Sequence, residues 1–192
     1  MANFKIAYDI TMGHEGGYAN DPNDNGGETY KGVARKFHPN WPGWVAIDKI
    51  KSTLGKSTDI INKHAGLDAG LQFAIQSFYK TQFWDIINLD KITNQNIANE
   101  LFDIGVNMGP GVAAKFLQES LNLCNNGSKL YPNLVVDGTV GPKTISCLNN
   151  HLKPNLVLKT LNLLQGEKYL KIVRNNEVQE RFWNSWLSRV TI

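Results

Sequence analysis

A backbone that must stop being helical and turn back on itself within about a dozen residues constrains this chain more than any other feature. The stretch is His14-Glu15-Gly16-Gly17-Tyr18, followed by Ala19-Asn20-Asp21-Pro22-Asn23-Asp24-Asn25-Gly26-Gly27-Glu28-Thr29-Tyr30-Lys31-Gly32. Before it, Phe4, Ala7, Tyr8 and Thr11 recur at helical spacing behind Asn3, a candidate cap, and predict a short amphipathic helix over residues 3 to 14. Gly16-Gly17 ends that helix, and the Asp, Asn, Pro and Gly combinations beyond it predict a small irregular β-hairpin. Glu15 is left on the apolar side of the last helical turn.

Downstream the signals are helical. From 34 to 58, His38-Pro39, Trp41-Pro42-Gly43 and Gly55 leave room for one or two short helices, and Ser57-Thr58 can cap the next. Leu71, Ala74, Ile75, Phe78, Tyr79, Phe83 and Trp84 predict a core helix with an aromatic-heavy buried face. Another helix opens at Asn96, is interrupted at Asn107-Met108-Gly109-Pro110-Gly111, and resumes from Val112 to Leu123. After a loop at Asn125-Asn126-Gly127-Ser128 and a short extended piece at Val135-Val136, Asp137-Gly138-Thr139-Val140-Gly141-Pro142 reads as a tight turn opening a further helix. Residues 155 to 174 and 177 to 190 give two more, with Phe182, Trp183 and Trp186 read as core or lobe-docking residues rather than a sugar platform. The fold class is α+β, mostly α-helical, with six to eight helices and a small N-terminal β-hairpin.

Composition narrows the function classes. With 192 residues and 42% hydrophobic content, the chain can bury a core as one domain, or one domain with a small appended lobe. Lys and Arg total 20 against 17 Asp and Glu, a net charge of +3 that mildly favours acidic partners such as wall polymers or nucleic acid without choosing between them. No basic run is interleaved with aromatics, and the five tryptophans are scattered, which argues against nucleic-acid binding. The N-terminus lacks a charged leader with an apolar stretch, and no window approaches the roughly 18 apolar residues of a membrane span. A soluble, cytoplasmically made monomer without membrane insertion is expected, acting outside the cell only after release by another route. Cys124 and Cys147 are 23 positions apart, neither a CxxC pair nor a zinc pattern, and His14, His38, His64 and His151 are dispersed. Free thiols, no metal and no cofactor are therefore expected.

The candidate chemistry is acid/base. A carboxylate serves as general acid when its pKa is raised toward the working pH. Glu15 has two reasons for that: the negative end of a helix dipole and an apolar face that desolvates it. Inverting glycosidic hydrolysis needs a second group across the scissile bond, the two carboxyls roughly 6.5 to 9.5 Å apart, to position water. Asp24, nine residues on, and Thr29, fourteen residues on, are the candidates across the hairpin. Asp24 also suits a plain turn residue, and Asp21 and Glu28 compete with it.

Glu15-Gly16-Gly17-Tyr18 with Asp24-Asn25-Gly26-Gly27-Glu28-Thr29-Tyr30-Lys31-Gly32 resembles the catalytic segment of glycoside hydrolase family 108, bacterial and prophage N-acetylmuramidases of the lysozyme superfamily. Phe102-Asp103-Ile104-Gly105-Val106-Asn107-Met108-Gly109, with Ala113-Ala114 and Leu117-Gln118, resembles that family's central helix pair. Asp137-Gly138-Thr139-Val140-Gly141-Pro142-Lys143-Thr144 resembles its C-terminal peptidoglycan-binding segment. The order Glu, Asp, Thr is also similar to phage-type lysozymes, with an Asp-to-Thr gap one residue shorter here.

The resemblance implies a lysozyme-like catalytic domain at 1–123, with a helical peptidoglycan-binding subdomain at 124–192 packed on it. It implies that Glu15 protonates the bond between N-acetylmuramic acid and N-acetylglucosamine, with Asp24 and Thr29 positioning water. Tyr18, Tyr30 and Asn107 become candidates for lining a sugar groove, packing being the other reading of the tyrosines. Bacterial peptidoglycan is the implied partner. The competing reading is a non-catalytic wall-binding or secretion-associated protein that keeps the fold.

Overall fold

The computed structural model describes residues 1–13, 16–21 and 26–191. The chain forms two compact units, one of residues 12–80 and the other of residues 1–11 with 81–192. Both are built mainly from helices, and the one sheet among the described residues lies near the N-terminus, as the α+β reading expects.

In residues 12–80, β1 (Tyr18–Asn20), β2 (Glu28–Tyr30) and β3 (Val33–Ala34) form an antiparallel sheet in that order. Tyr18 lies opposite Tyr30, Asn20 opposite Glu28, and Thr29 opposite both Ala19 and Ala34. The expected hairpin thus gains a third short strand. The turn into it is made by Lys31 and Gly32, which both take positive φ, 44° and 79°, the geometry of a two-residue turn matched to strand twist. A lysine there is unusual, and its backbone is held from both sides. The Lys31 N–H donates to the Gly17 carbonyl at 3.1 Å, and its own carbonyl accepts from the Tyr79 hydroxyl at 2.8 Å.

Three helices complete this unit: α2 (Gly43–Thr53), α3 (Thr58–Leu67) and α4 (Ala69–Tyr79). Ser57 caps α3 as expected, accepting from the Ile60 N–H at 3.3 Å, and Asp68 caps α4 from the Leu71 N–H at 2.8 Å. Their apolar faces bury Trp44, Ile47, Ile61, Leu71, Ile75 and Tyr79. Gly43 opens α2 because a Cβ there would lie 2.1 Å from the Trp41 ring. The core helix expected to run through Trp84 stays α-helical only to Tyr79. It widens into a π turn at Lys80–Trp84, followed by 3₁₀ turns at Asp85–Ile87 and Leu89–Lys91 with a left-handed Asn88 between them.

In the other unit, Phe4 on α1 (Phe4–Met12) packs edge-on against Trp84 and Phe102, with ring centroids 5.6 and 5.7 Å away. α5 (Gln95–Met108) starts earlier than expected because Asn94, not Asn96, is its cap, accepting from the Ile97 N–H at 3.1 Å. The interruption falls where the sequence places it: Gly109, at φ 93°, ends α5 and Pro110 begins α6 (Pro110–Leu123). α7 (Pro142–Asn149) opens on Pro142, and α8 (Pro154–Asn175) packs against α5 and α6. Leu101, Ile104, Leu117, Leu121, Val157 and Leu161 fill the space between these three.

Val135-Val136 pairs with no strand among the described residues, and Val135 is exposed. One expectation is corrected in this unit. The last long helix is instead a 3₁₀ stretch, Glu177–Phe182, entered through Asn176, whose side chain accepts from the Val178 N–H, followed by the short α9 (Trp183–Leu187). The aromatics there are not buried core. Trp186 stacks on Tyr169 of α8 at 5.0 Å and on Phe182 at 5.7 Å, docking the segment, while Trp183 stays half-exposed. No helix among the described residues is long and apolar enough to cross a membrane.

Candidate active site

Glu15 and Asp24 lie outside the described residues, so the site is built from what flanks them. Two residues after Glu15 the backbone is pinned: the Tyr18 N–H donates to Asn62 Oδ1 of α3 at 2.6 Å, and the Gly17 carbonyl takes the Lys31 N–H. That grip explains one glycine of the pair. A Cβ on Gly17 would lie 2.2 Å from Asn62 Oδ1, so glycine is required by close approach, whereas a Cβ on Gly16 would meet nothing within 4 Å. Gly17→Ala is expected to displace Asn62, orphan the Tyr18 N–H and destabilise the protein by about 1–3 kcal/mol. Gly16→Ala is expected to stay within about 0.5 kcal/mol. Equal denaturant midpoints for the two variants would contradict the close-approach argument.

At the other side of the hairpin, Glu28 is a clamped anion. Its carboxylate receives the Lys51 ammonium at 2.7 Å and the Tyr18 hydroxyl at 2.8 Å, and lies 3.0 Å from Arg35 Nε. Arg35 in turn donates to Asp48 at 2.8 Å, which holds the Asp48 carboxyl below the usual carboxylate range, and its guanidinium lies 4.5 Å from the centre of the Trp44 ring. This network ties the sheet to α2. It also removes Glu28 from contention as a proton shuttle, because its oxygens already serve three partners. Asp21 is exposed.

The two tyrosines expected in the sugar groove take packing positions. Tyr30 is only 1% exposed, and its hydroxyl accepts from Gln72 Nε2 at 3.1 Å. Tyr18, its cross-strand partner, is 6% exposed, and burial together with the Glu28 hydrogen bond pushes its phenol up to about 12. Rings enclosed to this degree pack in the core of this unit, the other reading the sequence gives for the two tyrosines. Thr29 is half-buried on β2 and donates to the Gly27 carbonyl at 3.2 Å. Asn107 belongs to the other unit, exposed near the end of α5, where its amide donates to the Asp103 carbonyl at 2.8 Å. The structure therefore brings together Tyr18, Thr29 and Tyr30 on one small sheet.

The residues that position this sheet were missed from the sequence. Asn62, Gln72, Lys51 and Tyr79 grip it from three helices, at separations of 23 to 48 residues. Nothing in the local pattern distinguishes them from ordinary helix positions.

A perturbed carboxylate was missed as well. Glu100, on α5, is 8% exposed, and its Oε1 has no hydrogen-bond partner among the described residues. Burial, reinforced by the neighbouring Asp103, pushes its carboxyl up to about 8. Asp103 itself pairs with Arg189 at 2.6 Å and accepts from Gln165 at 3.0 Å, joining α5 to α8 and the C-terminal residues. Its enclosure between packed helices makes Glu100 an internal acid rather than one that meets a polymer.

The Asp137-Gly138-Thr139 turn is organised by Gln118 of α6. Its Nε2 donates to Asp137 Oδ1 at 2.7 Å and to the Thr139 carbonyl at 3.0 Å, and its Oε1 accepts from the Gly138 N–H at 2.9 Å. Gly138 is at φ 83°. Cys124 and Cys147 are free thiols, and burial pushes the Cys147 thiol up. Among the described residues, no group of three or more His, Cys, Asp or Glu is placed to hold a metal ion.

Comparison with known proteins aligns with these features. The family model described as glycosyl hydrolase 108 matches residues 8–109, and a second, described as a predicted peptidoglycan domain, matches residues 112–191. No curated protein matches the chain. Among solved structures, that of Brucella abortus SagA is similar over 97% of this chain and 88% of that one, at 20% identity and a TM-score of 0.59. At that identity the likeness is one of fold.

Proposed function

This chain belongs to the glycosyl hydrolase 108 family, and on that premise we propose that it is an N-acetylmuramidase that cuts between N-acetylmuramic acid and N-acetylglucosamine. It is a glycoside hydrolase with a lysozyme-like, peptidoglycan-hydrolysing role. The observation that carries the reading is the tiling of the chain, a hydrolase segment over 8–109 followed by a peptidoglycan segment over 112–191. Catalysis is assigned to residues 1–123 and wall binding to residues 124–192. Glu15 donates the proton to the glycosidic oxygen, while Asp24 and Thr29 position the attacking water, without a cofactor. The protein acts at the cell wall as a monomer.

The test is digestion of purified peptidoglycan with mass spectrometry of the products. Fragments ending in reducing N-acetylmuramic acid support the proposal. Anhydro ends would replace it with a lytic transglycosylase, and pelleting with the wall without any release would favour a non-catalytic binder. Asp24→Asn is expected to lower turnover by roughly 10²-fold, the low end for a lost general base, while leaving pelleting unchanged. Unaltered turnover would move the role to Asp21, since Glu28 is held by Lys51, Arg35 and Tyr18.

A further inference from the structure

A pocket of about 330 Å³ opens between α8, the 3₁₀ stretch Glu177–Phe182 and α9. Leu170 and Val173 give it apolar walls, and Arg174, Glu180, Trp183 and Asn184 complete its lining. The Trp186 stack on Tyr169 and Phe182 holds these elements together. The two tryptophans of α9 thus divide their duties, one docking the helix and the other facing the pocket. All six lining residues fall within the segment matched by the peptidoglycan domain.

The side chains around the pocket are uncommitted. Among the described residues, the Arg174 guanidinium, the Glu180 carboxylate, the Trp183 indole N–H and the Asn184 amide make no hydrogen bond or ion pair. One cation and one anion lining the same small pocket, without pairing to each other, favour a ligand that carries both charges. The volume lies at the lower end for ligand pockets and fits a single residue-sized group better than a polymer strand. Aliphatic walls and an indole face suit an alkyl chain.

These properties discriminate between the two halves of peptidoglycan. The N-acetylated glycan is uncharged where stems are attached, because the lactyl carboxyl is then an amide. The stem peptide carries the charges, and a diamino acid of the diaminopimelate type presents an ammonium and a carboxylate together at the end of an alkyl chain. We propose that this pocket binds the stem peptide of peptidoglycan at the free end of such a diamino acid. Its carboxylate meets Arg174, its ammonium Glu180, and its alkyl chain lies along Leu170, Val173 and Trp183. The proposal rests on the reading of peptidoglycan as the polymer this protein acts on.

Calorimetric titration of the full chain tests it, using a tripeptide of alanine, glutamate and diaminopimelate in their wall configurations. The same peptide with lysine, which lacks the terminal carboxylate, and the peptide-free disaccharide serve as comparators. The diaminopimelate peptide is expected to bind about tenfold more tightly than the lysine peptide, and the disaccharide is expected not to compete. Arg174→Ala should erase the difference between the peptides, and Glu180→Ala should weaken both about tenfold. No binding of the diaminopimelate peptide, or equal binding by wild type and both variants, overturns the proposal. Digestion of intact peptidoglycan by the same preparations separates this from the parent reading. Cleavage without peptide binding overturns the pocket and keeps the hydrolase; peptide binding through Arg174 and Glu180 without cleavage does the reverse.

Discussion

Glu15→Gln protein is expected to fold like wild type and to leave a peptidoglycan suspension turbid, with turnover reduced by roughly 10²–10⁴-fold. Glutamine keeps the shape of the side chain and its hydrogen-bonding reach but has no proton to give to a departing sugar oxygen. The expectation comes from position: Glu15 stands between a helix that ends at Met12 and a backbone pinned by Asn62 and Lys31 from Gly17 onward. A backbone pinned at Gly17 and Tyr18 supplies the kind of fixed frame that general acid catalysis requires. The grip runs through the Tyr18 N–H and the Gly17 carbonyl, which the substitution leaves in place, so circular dichroism and the denaturant midpoint should match wild type. Clearing of the suspension at the wild-type rate would remove Glu15 from the mechanism.

Glu100→Gln should change how stability depends on pH more than any other single substitution of a described residue. The Glu100 carboxyl is raised from 4.5 to about 8 in the folded protein. Below pH 4.5 it is protonated both folded and unfolded, and its contribution to stability is fully present. Between 4.5 and about 8 the unfolded chain ionises while the folded one holds its proton, so stability falls by up to roughly 1.4 kcal/mol per pH unit and levels off above 8. An amide does not titrate. Urea titrations at pH 5, 6, 7 and 8 should therefore show Glu100→Gln gaining on wild type by several kcal/mol across the series. Parallel pH dependences of the two proteins would mean that the native carboxyl ionises normally.

The helices were legible where a cap, a stop and a stripe of apolar residues agreed. Ser57 and Pro142 begin helices as read, and Gly109-Pro110 breaks α5 from α6. The sequence failed where a side chain from far along the chain decides. The third strand depends on a lysine held at positive φ by Gly17 and Tyr79, and the helix expected to reach Trp84 widens after Tyr79 although its apolar pattern continues unbroken. Tyr18 and Tyr30 look alike as sugar platforms or as core residues until burial is known, and burial gives them to the core. The C-terminal aromatics share one helical spacing, yet Trp186 stacks on Tyr169 and Phe182 while Trp183 lines a pocket.

The grip on the small sheet bears on how sequences of this kind can diverge. In most hairpins the turn sets the strand register, and an inserted or deleted residue forces a slip that moves every side chain to the opposite face. Here Asn62 fixes one strand, Gln72 and Lys51 fix the next, and Tyr79 fixes the turn into the third. The pairing of Tyr18 with Tyr30 is thus held by three helices. A substitution in α2, α3 or α4 that loosens one of these side chains therefore bears on strand register as directly as a substitution in the sheet itself.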